Sequence, residues 1–224
     1  KIMFRNTICY NLVFIVLGTV FAIFVAILLG EVRNARAKKI YQTVILIPYL
    51  VSMVLVGYLV YAMLSYSNGF INKGILENLG LDSINWYTEP KYWPFILTIV
   101  SLWKGFGFDK TYYEAAVVDG ATVWKQITRI TLPLLRPTVI ILTIMSLGRM
   151  FASDFGLFYQ VPMNTGTLYT ATTTIDTFVY RAMMEDHDVG RSLAAGFLQS
   201  ILGFAVVMLT NTIVRRVEPD SALF

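Results

Sequence analysis

Side chains able to perform covalent or metal chemistry are scarce in this sequence. One cysteine, Cys9, and one histidine, His187, exclude a disulfide framework and a Cys/His zinc site built by this chain alone. No phosphate-binding loop ending in Gly-Lys-Ser/Thr occurs, and Gly105-Phe-Gly107 is not such a loop. We therefore predict a protein that is not an enzyme and that holds no metal or cofactor of its own.

Two ionisable side chains near the end of an apolar run are the clearest candidates for a functional site. Arg149 lies late in that run, and Asp154 follows five residues later. Charged groups at such depth normally face a cavity or one another. On a regular helix the two would point about 140° apart, so at least one needs a partner elsewhere. The alternative is a structural ion pair that fixes the helix.

The composition indicates that lipid is the main solvent of the elements that carry these residues. Of the 224 residues, 56% are hydrophobic and 14% are charged, and the mean hydropathy is +0.63. A soluble domain carries about 25% charged residues. The net charge of +4 comes from short basic clusters beside apolar runs rather than from a basic stripe. We therefore predict a membrane protein with no nucleic-acid partner.

Five apolar runs predict an all-α, polytopic transmembrane helical bundle that forms a single domain over residues 1–224. The second run contains Pro48, which a membrane helix tolerates when neighbours satisfy the freed carbonyl. Residues 69–81 predict either an amphipathic helix at the membrane interface or an ordinary loop helix. The predicted spans cover residues 7–30, 43–64, 92–107, 134–151 and 192–214.

The distribution of lysine and arginine predicts how these spans are oriented. Basic residues concentrate after the first, third and fifth spans, whereas the other connections are rich in acidic residues. By the positive-inside rule the basic connections and the C-terminus are cytoplasmic.

The cytoplasmic connection between the third and fourth spans is too patterned for a simple turn. Thr111 and Glu114 have capping-box spacing, which predicts a helix beginning near Tyr112. Gly120 allows the chain to turn, and a second helix follows with an apolar face. Nothing in this chain covers that face, so we expect it to bind a partner protein.

This connection resembles the EAA loop of permease subunits in binding-protein-dependent ABC importers. The resemblance implies the type I importer permease fold, with residues 108–133 forming a coupling loop that docks on a cytoplasmic ATPase. It also implies that Glu114 meets a basic residue of the ATPase, although Glu114 can instead serve only as a helix-capping residue. The implied coupling residues are Glu114, Ala115, Ala116, Asp119, Gly120, Ala121, Trp124, Leu132 and Pro133.

Further positions are similar to carbohydrate-uptake permeases, and the C-terminal part resembles the branch that imports polysaccharides or complex oligosaccharides. Those positions include Leu46-Ile47-Pro48, Trp103-Lys104, Asp154-Phe155-Gly156, Ile175-Asp176-Thr177 and Gln199-Ser200. The resemblance implies a multi-pass protein of the bacterial plasma (inner) membrane. Its implied partners are a second permease subunit, two ATPase subunits that bind ATP and Mg, an extracytoplasmic solute-binding protein, membrane lipid and a carbohydrate substrate.

A sugar site combines planar polar groups with aromatic faces. Besides Arg149 and Asp154, the expected substrate path therefore includes Tyr159, Gln199, Tyr58 and Tyr61. Gln199 and Asn211 can equally be polar contacts between helices.

Two features depart from the family pattern. Family members carry six spans, so we expect a first helix to be missing before Lys1. The third span, 16 residues long, covers about 24 Å of a core of about 30 Å. We therefore expect missing residues between Gly107 and Phe108 as well.

The alternative function is an ion-coupled secondary sugar transporter acting without an ATPase. It is disfavoured because the sequence shows neither inverted repeats nor broken midplane helices.

Overall fold

The computed structural model describes residues 1–30, 32, 34–105 and 132–217. Regular structure in these residues is helical throughout. The α-helices in chain order are α1 (Ile2–Gly30), α2 (Ala35–Leu50), α3 (Met53–Leu64), α4 (Trp93–Gly105), α5 (Leu132–Gly148), α6 (Phe155–Tyr159), α7 (Tyr169–Thr172), α8 (Ile175–Met184) and α9 (Val189–Val217). Between them lie a π-helix (Ile71–Leu76) and 3₁₀ turns at Glu77–Leu79, Trp86–Thr88, Pro90–Tyr92 and Gly166–Leu168.

Two described helices, α1 and α9, are long and apolar enough to cross a membrane. The pair α2 and α3 makes a third span if both belong to one broken helix. The helices α4 and α5 correspond to the predicted third and fourth spans, but they have 13 and 17 residues. Helix α4 ends at Gly105, next to residues that lie outside the described part.

The segment predicted to be one span, residues 43–64, is divided at Val51 and Ser52. Helix α2 contains Pro48, which has no N–H to donate within the helix. The Ser52 hydroxyl then accepts a hydrogen bond from Leu55 N at 3.4 Å and caps the start of α3. The sequence predicted no broken helix here, because this N-cap lies inside an uncharged run; the structure divides the run into two helices, which form either a broken span or a re-entrant loop.

The fourth span ends earlier than predicted, and this changes the arrangement of Arg149 and Asp154. Helix α5 stops at Gly148, and Arg149 N and Met150 N donate to carbonyls three residues back. Asp154 has an extended backbone and precedes α6. The two residues are therefore not on one helix, and the 140° argument does not apply.

The chain divides into two compact units. The first comprises Lys1–Asn11, Val51–Ser101 and Phe151–Ser200, and the second comprises Leu12–Leu50, Leu102–Met150 and Ile201–Phe224. Fully buried side chains of the first unit include Trp93, Leu97, Phe158, Val161 and Ile175. In the second unit, a Cβ on Gly148 would lie 2.8 Å from Val207 Cγ2, so α5 and α9 approach closely at a small residue.

Asn72 organises the first unit between α3 and α4. Its side chain is fully buried, and its amide donates to the carbonyls of Ser65, Tyr66 and Ile84. Its Oδ1 accepts from Ile84 N and Trp86 Nε1. The helical stretch predicted over residues 69–81 is confirmed, but it is a π-helix followed by a 3₁₀ turn. Its large apolar side chains Phe70, Ile75 and Leu79 are exposed.

Candidate functional site

The candidate functional site is built around the short helix α6, and Asp154 lies directly before the first residue of that helix. Its Oδ1 accepts a hydrogen bond from Leu157 N at 3.1 Å and caps the helix. The residue is exposed, and its Oδ2 accepts no hydrogen bond within the described residues. One carboxylate oxygen of Asp154 is thus structural, and the other is available to an incoming hydroxyl group.

Three aromatic rings form a cluster, two of them on α6 and one on α8. Phe155 and Tyr159 are stacked with centroids 4.8 Å apart and an interplanar angle of 20°. Tyr180 from α8 contacts both rings at centroid distances of 4.8 and 5.0 Å. All three side chains are partly exposed. Helix α6 therefore carries two of these partly exposed rings within five residues of the Asp154 carboxylate.

Burial, followed by the neighbouring Tyr180 and Glu185, raises the pKa of the Tyr159 hydroxyl. A tyrosine is already neutral near pH 7, and the raised pKa extends this neutral range to higher pH. Tyr159 can therefore donate and accept hydrogen bonds, as recognition of a polyhydroxyl ligand requires.

The backbone after α6 is held against α3 by close packing. A Cβ on Gly57 would lie 2.7 Å from Gln160 O, so a side chain at this position would collide with the backbone. Next to this contact the Tyr87 hydroxyl donates to Val161 O at 3.4 Å. Thr167 Oγ1 donates to Tyr87 O at 2.7 Å. These contacts fix the C-terminal end of α6.

Asp176 fixes the backbone that leads into α6. Its Oδ2 accepts from Ser153 N at 2.6 Å, and its Oδ1 accepts from Gln199 Nε2 at 3.1 Å. Gln199 Nε2 also donates to Phe151 O at 2.9 Å. Both N–H groups of the Gln199 amide are therefore used within the protein. Of the two roles predicted for Gln199, this geometry favours the contact between helices.

Helix α8, which carries Asp176 and Tyr180, is itself anchored to α1. Thr174 and Thr177 form a capping box at its start, and Ile175 N donates to Thr7 Oγ1 at 3.0 Å. Asn6 Nδ2 donates to the carbonyls of Thr170 and Thr173 just before α8. Hydrogen bonds from the second turn of α1 thus anchor the start of α8, the helix that carries Tyr180.

Arg181 stabilises the same helix from within the first unit. It is 9% exposed, and its guanidinium donates to Asn164 Oδ1, Thr173 Oγ1 and Thr177 Oγ1. The guanidinium carbon also lies 4.2 Å from the centroid of the Tyr169 ring. We read Arg181 as a structural residue that ties α7 and α8 together.

The remaining substrate-path residues are not all brought to this cluster. Tyr61 packs edge-on against Tyr87 at 5.6 Å, and Tyr58 on the same helix is 62% exposed. Arg149 belongs to the second unit, where its side chain is exposed in the turn after α5. No ion pair among the described residues includes Arg149.

The coupling residues lie mostly outside the described part of the chain. This holds for Glu114, Ala115, Ala116, Asp119, Gly120, Ala121 and Trp124 and for the junction of Gly107 with Phe108. Leu132 and Pro133 are the first two residues of α5, which agrees with proline being tolerated in a first helical turn.

The sequence pointed to Phe155 and Asp176 only as positions similar to the permease family, and it placed neither them nor Tyr180 in the substrate path. Asp176 had one recognisable signal, since it lies in the first turn of a helix preceded by a threonine N-cap. Its two hydrogen-bond partners, Ser153 and Gln199, each lie 23 positions from Asp176 in sequence. A single sequence does not reveal contacts over such separations.

Curated relatives cover nearly the whole chain. Protein LplB of Bacillus subtilis (strain 168) is 28% identical over 97% of this chain and 71% of its own length. The polygalacturonan/rhamnogalacturonan transport system permease protein YteP of the same organism is 29% identical over 87% of this chain and 63% of its length. The arabinooligosaccharides transport system permease protein AraP of Halalkalibacterium halodurans is 26% identical over 90% of this chain. The chain thus spans about two thirds of the length of these relatives.

Two solved structures are similar to this chain in fold and in sequence. A bacterial ABC transporter involved in the import of the acidic polysaccharide alginate matches with a TM-score of 0.85 and 29% identity, over 97% of this chain and 79% of its own. A bacterial alginate ABC transporter in complex with an alginate pentasaccharide-bound periplasmic protein matches with a TM-score of 0.82 and 30% identity, over 95% of this chain and 77% of its own.

The resemblance to carbohydrate-type ABC importer permeases is thereby confirmed, as is the all-α membrane fold. The model of the family described as binding-protein-dependent transport system inner membrane component matches residues 18–219. That match covers most of the chain, and it includes both α5 and α9. This chain therefore belongs to the family of inner membrane components of binding-protein-dependent transport systems.

Proposed function

We propose that this chain is one permease subunit of an ATP-driven importer that passes an oligosaccharide or polysaccharide into the cytoplasm. An extracytoplasmic solute-binding protein delivers the sugar, and two cytoplasmic ATPase subunits supply the energy. A second permease subunit, a different chain, completes the path. The observation that carries the proposal is the match of 95% of the chain, at 30% identity, to a chain of a bacterial alginate ABC transporter.

The α6 region is the part of the described chain best suited to contact a sugar. Its stacked rings offer apolar faces to the C–H groups of a pyranose, and Asp154 Oδ2 and the neutral Tyr159 hydroxyl offer hydrogen bonds. Tyr58 adds a further exposed ring on α3. Arg149 and Tyr61 remain proposals for the substrate path on sequence grounds.

The charge of this region bears on the class of sugar. Asp154 and Glu185 are exposed carboxylates near the ring cluster, and Asp176 lies one helical turn before Tyr180 on α8. The relatives include transporters named for acidic sugars and for neutral arabinooligosaccharides. Because like charges repel, we propose that Asp154 favours hydroxyl-rich, neutral sugar units over uronates.

Replacing Asp154 with asparagine tests this assignment. Asparagine keeps an N-cap oxygen for Leu157 N, so the helix start is preserved. We expect Asp154→Asn to weaken uptake of neutral oligosaccharides about fivefold or more and to improve uptake of uronate oligosaccharides. Competition for uptake between the two sugar classes in cells gives the measurement.

Asp82→Asn is the matched control, because it removes an exposed carboxylate elsewhere in the first unit. Equal effects of both variants would show that only the net charge matters. Unchanged uptake of both sugar classes by Asp154→Asn would remove the residue from the substrate path.

Coupling to the ATPases is proposed through residues 108–133, with Glu114 meeting a basic residue of the ATPase and Gly120 forming the turn.

The competing function, a secondary sugar carrier, gains some support from the division between α2 and α3, since such carriers use broken helices. Family membership argues against it. Affinity purification of the tagged chain separates the two: a stoichiometric ATPase supports the importer, and transport with no associated ATPase contradicts it.

A further inference from the structure

Lys104 makes an unusual contact inside the second unit. Its Nζ donates to Tyr49 O at 3.0 Å and to Pro48 O at 3.4 Å. The ammonium also lies 5.8 Å from the centroid of the Tyr49 ring. Lys104 sits one residue before the end of α4, whereas Pro48 and Tyr49 lie in the last turn of α2. The contact therefore joins two helices that are 55 residues apart in sequence.

The position of the two carbonyls in the last turn of α2 makes them suitable acceptors for a capping side chain. The last four carbonyls of a helix have no partner within the helix. Helix α2 ends at Leu50, within a run of 33 residues without charge from Ile40 to Asn72. A cation that donates to the last carbonyls of a helix supplies their missing hydrogen bonds and is also favoured by the helix dipole. Lys104 supplies both the donor and the charge.

The opposite side of the break is satisfied as well. Ser52 caps the start of α3 through its hydroxyl, which accepts from Leu55 N. One side chain thus caps the N-terminus of α3, and another caps the C-terminus of α2. A break with both ends capped is a built feature of the chain rather than a local distortion.

We infer that Lys104 is a positioning residue of the transport cycle, which holds the C-terminal end of α2 to the C-terminal end of α4. The inference rests on the proposed function, because α4 leads directly along the chain to the proposed coupling loop at residues 108–133. In this role Lys104 transmits movement of α4 to the break in the second span. It contacts α2 backbone in the described structure, and no sugar contact is assigned to it.

Lys104→Met removes the donors and the charge while keeping an unbranched side chain. Lys104→Arg keeps both and should restore the contact in part. Lys39→Met is the matched control, because it removes an exposed lysine of α2 far from the break. The assembled transporter is placed in lipid nanodiscs for hydrogen exchange and in proteoliposomes for sugar uptake and ATP hydrolysis.

For Lys104→Met we expect amide exchange in the last turn of α2 to accelerate about fivefold or more. Sugar imported per ATP hydrolysed should fall by a similar factor while the yield of assembled complex stays unchanged. Lys104→Arg should lie close to the wild type, and Lys39→Met should equal it. A purely structural lysine would lower the yield and leave the ratio of sugar to ATP unchanged.

If amide hydrogen exchange in the last turn of α2 were the same in Lys104→Met as in the wild type, Lys104 would not cap this helix. Faster exchange with an unchanged ratio of sugar to ATP would overturn the positioning role. If Lys104→Met does not assemble, Lys104→Gln replaces it, and the same two readouts decide. Faster exchange in a complex whose wild type shows no ATP-dependent uptake would instead overturn the proposed function and leave the cap intact.

Discussion

At the residue scale, the most informative side chains are polar groups that serve the backbone. Asn72 makes five hydrogen bonds while fully buried among residues 65–86. Exposed apolar residues surround it in sequence, which is the reverse of an ordinary amphipathic helix. The segment is therefore ordered by one amide rather than by an apolar core of its own.

Asn72→Ala should open this segment. The substitution leaves Ile84 N, Trp86 Nε1 and three carbonyls without their partner, which costs about 3 kcal/mol of local stability. Hydrogen exchange of residues 65–86 in nanodiscs measures this loss. Asn78→Ala is the control, because Asn78 is exposed and makes one local bond to Gly74 O. Similar exchange in the two variants would contradict the role given to Asn72.

The sequence pointed to some residues of the candidate site and missed others for a physical reason. Asp154 was recognisable because a carboxylate at the end of an apolar run is rare. Asp176 and Tyr180 act through contacts with residues 153, 155, 159 and 199, and only the folded chain brings these together. The same limit hid Lys104, whose acceptors are backbone carbonyls and leave no trace in side-chain patterns.

At the scale of elements, the sequence predicted where helices occur better than where they end. The first and last predicted spans, residues 7–30 and 192–214, lie within α1 and α9. The break in the second span and the early end of α5 depend on Ser52, Pro48 and i−3 turns, which composition does not reveal. Because α5 ends early, Arg149 and Asp154 do not share a helix. Because the second run is divided, α2 has a C-terminus at Leu50 that a side chain can cap.

A buried hydroxyl on α1 holds the start of α8. Thr7 is fully buried, and its Oγ1 accepts from Ile175 N at the start of α8. Thr7→Val should lower the free energy of unfolding by about 1–2 kcal/mol, because it leaves that amide unpaired without changing the shape. Thr7→Ser keeps the acceptor and should lose far less. Thermal unfolding of the purified protein in detergent compares them, and equal stability of Val and Ser variants would contradict this tie.

At the scale of the whole molecule, the class of fold followed from composition and the family followed from one loop. Low charge and long apolar runs indicated membrane helices, and the EAA-like residues indicated an importer permease. The family match over residues 18–219 bears out that identification. Residues 106–131, which hold most of the coupling residues, lie outside the described part, so the coupling geometry stays a prediction.

The coupling prediction concerns Glu114 and Gly120. Glu114→Ala removes a charge proposed to meet the ATPase and should lower transport and ATPase stimulation at least about tenfold. Gly120→Pro should be worse, because it fixes φ where the turn needs freedom. Membrane insertion should be intact in both, as judged by yield in the membrane fraction. Wild-type transport by both variants would remove residues 108–133 from the coupling mechanism.

The central claim is that this chain imports a carbohydrate at the expense of ATP hydrolysed by partner subunits. The most direct test is accumulation of labelled oligosaccharide in proteoliposomes that contain the chain, its second permease, the ATPases and the solute-binding protein. We predict accumulation that requires internal ATP and Mg and that persists when proton and sodium gradients are collapsed. Accumulation that proceeds without the ATPases and follows an imposed ion gradient would contradict the account.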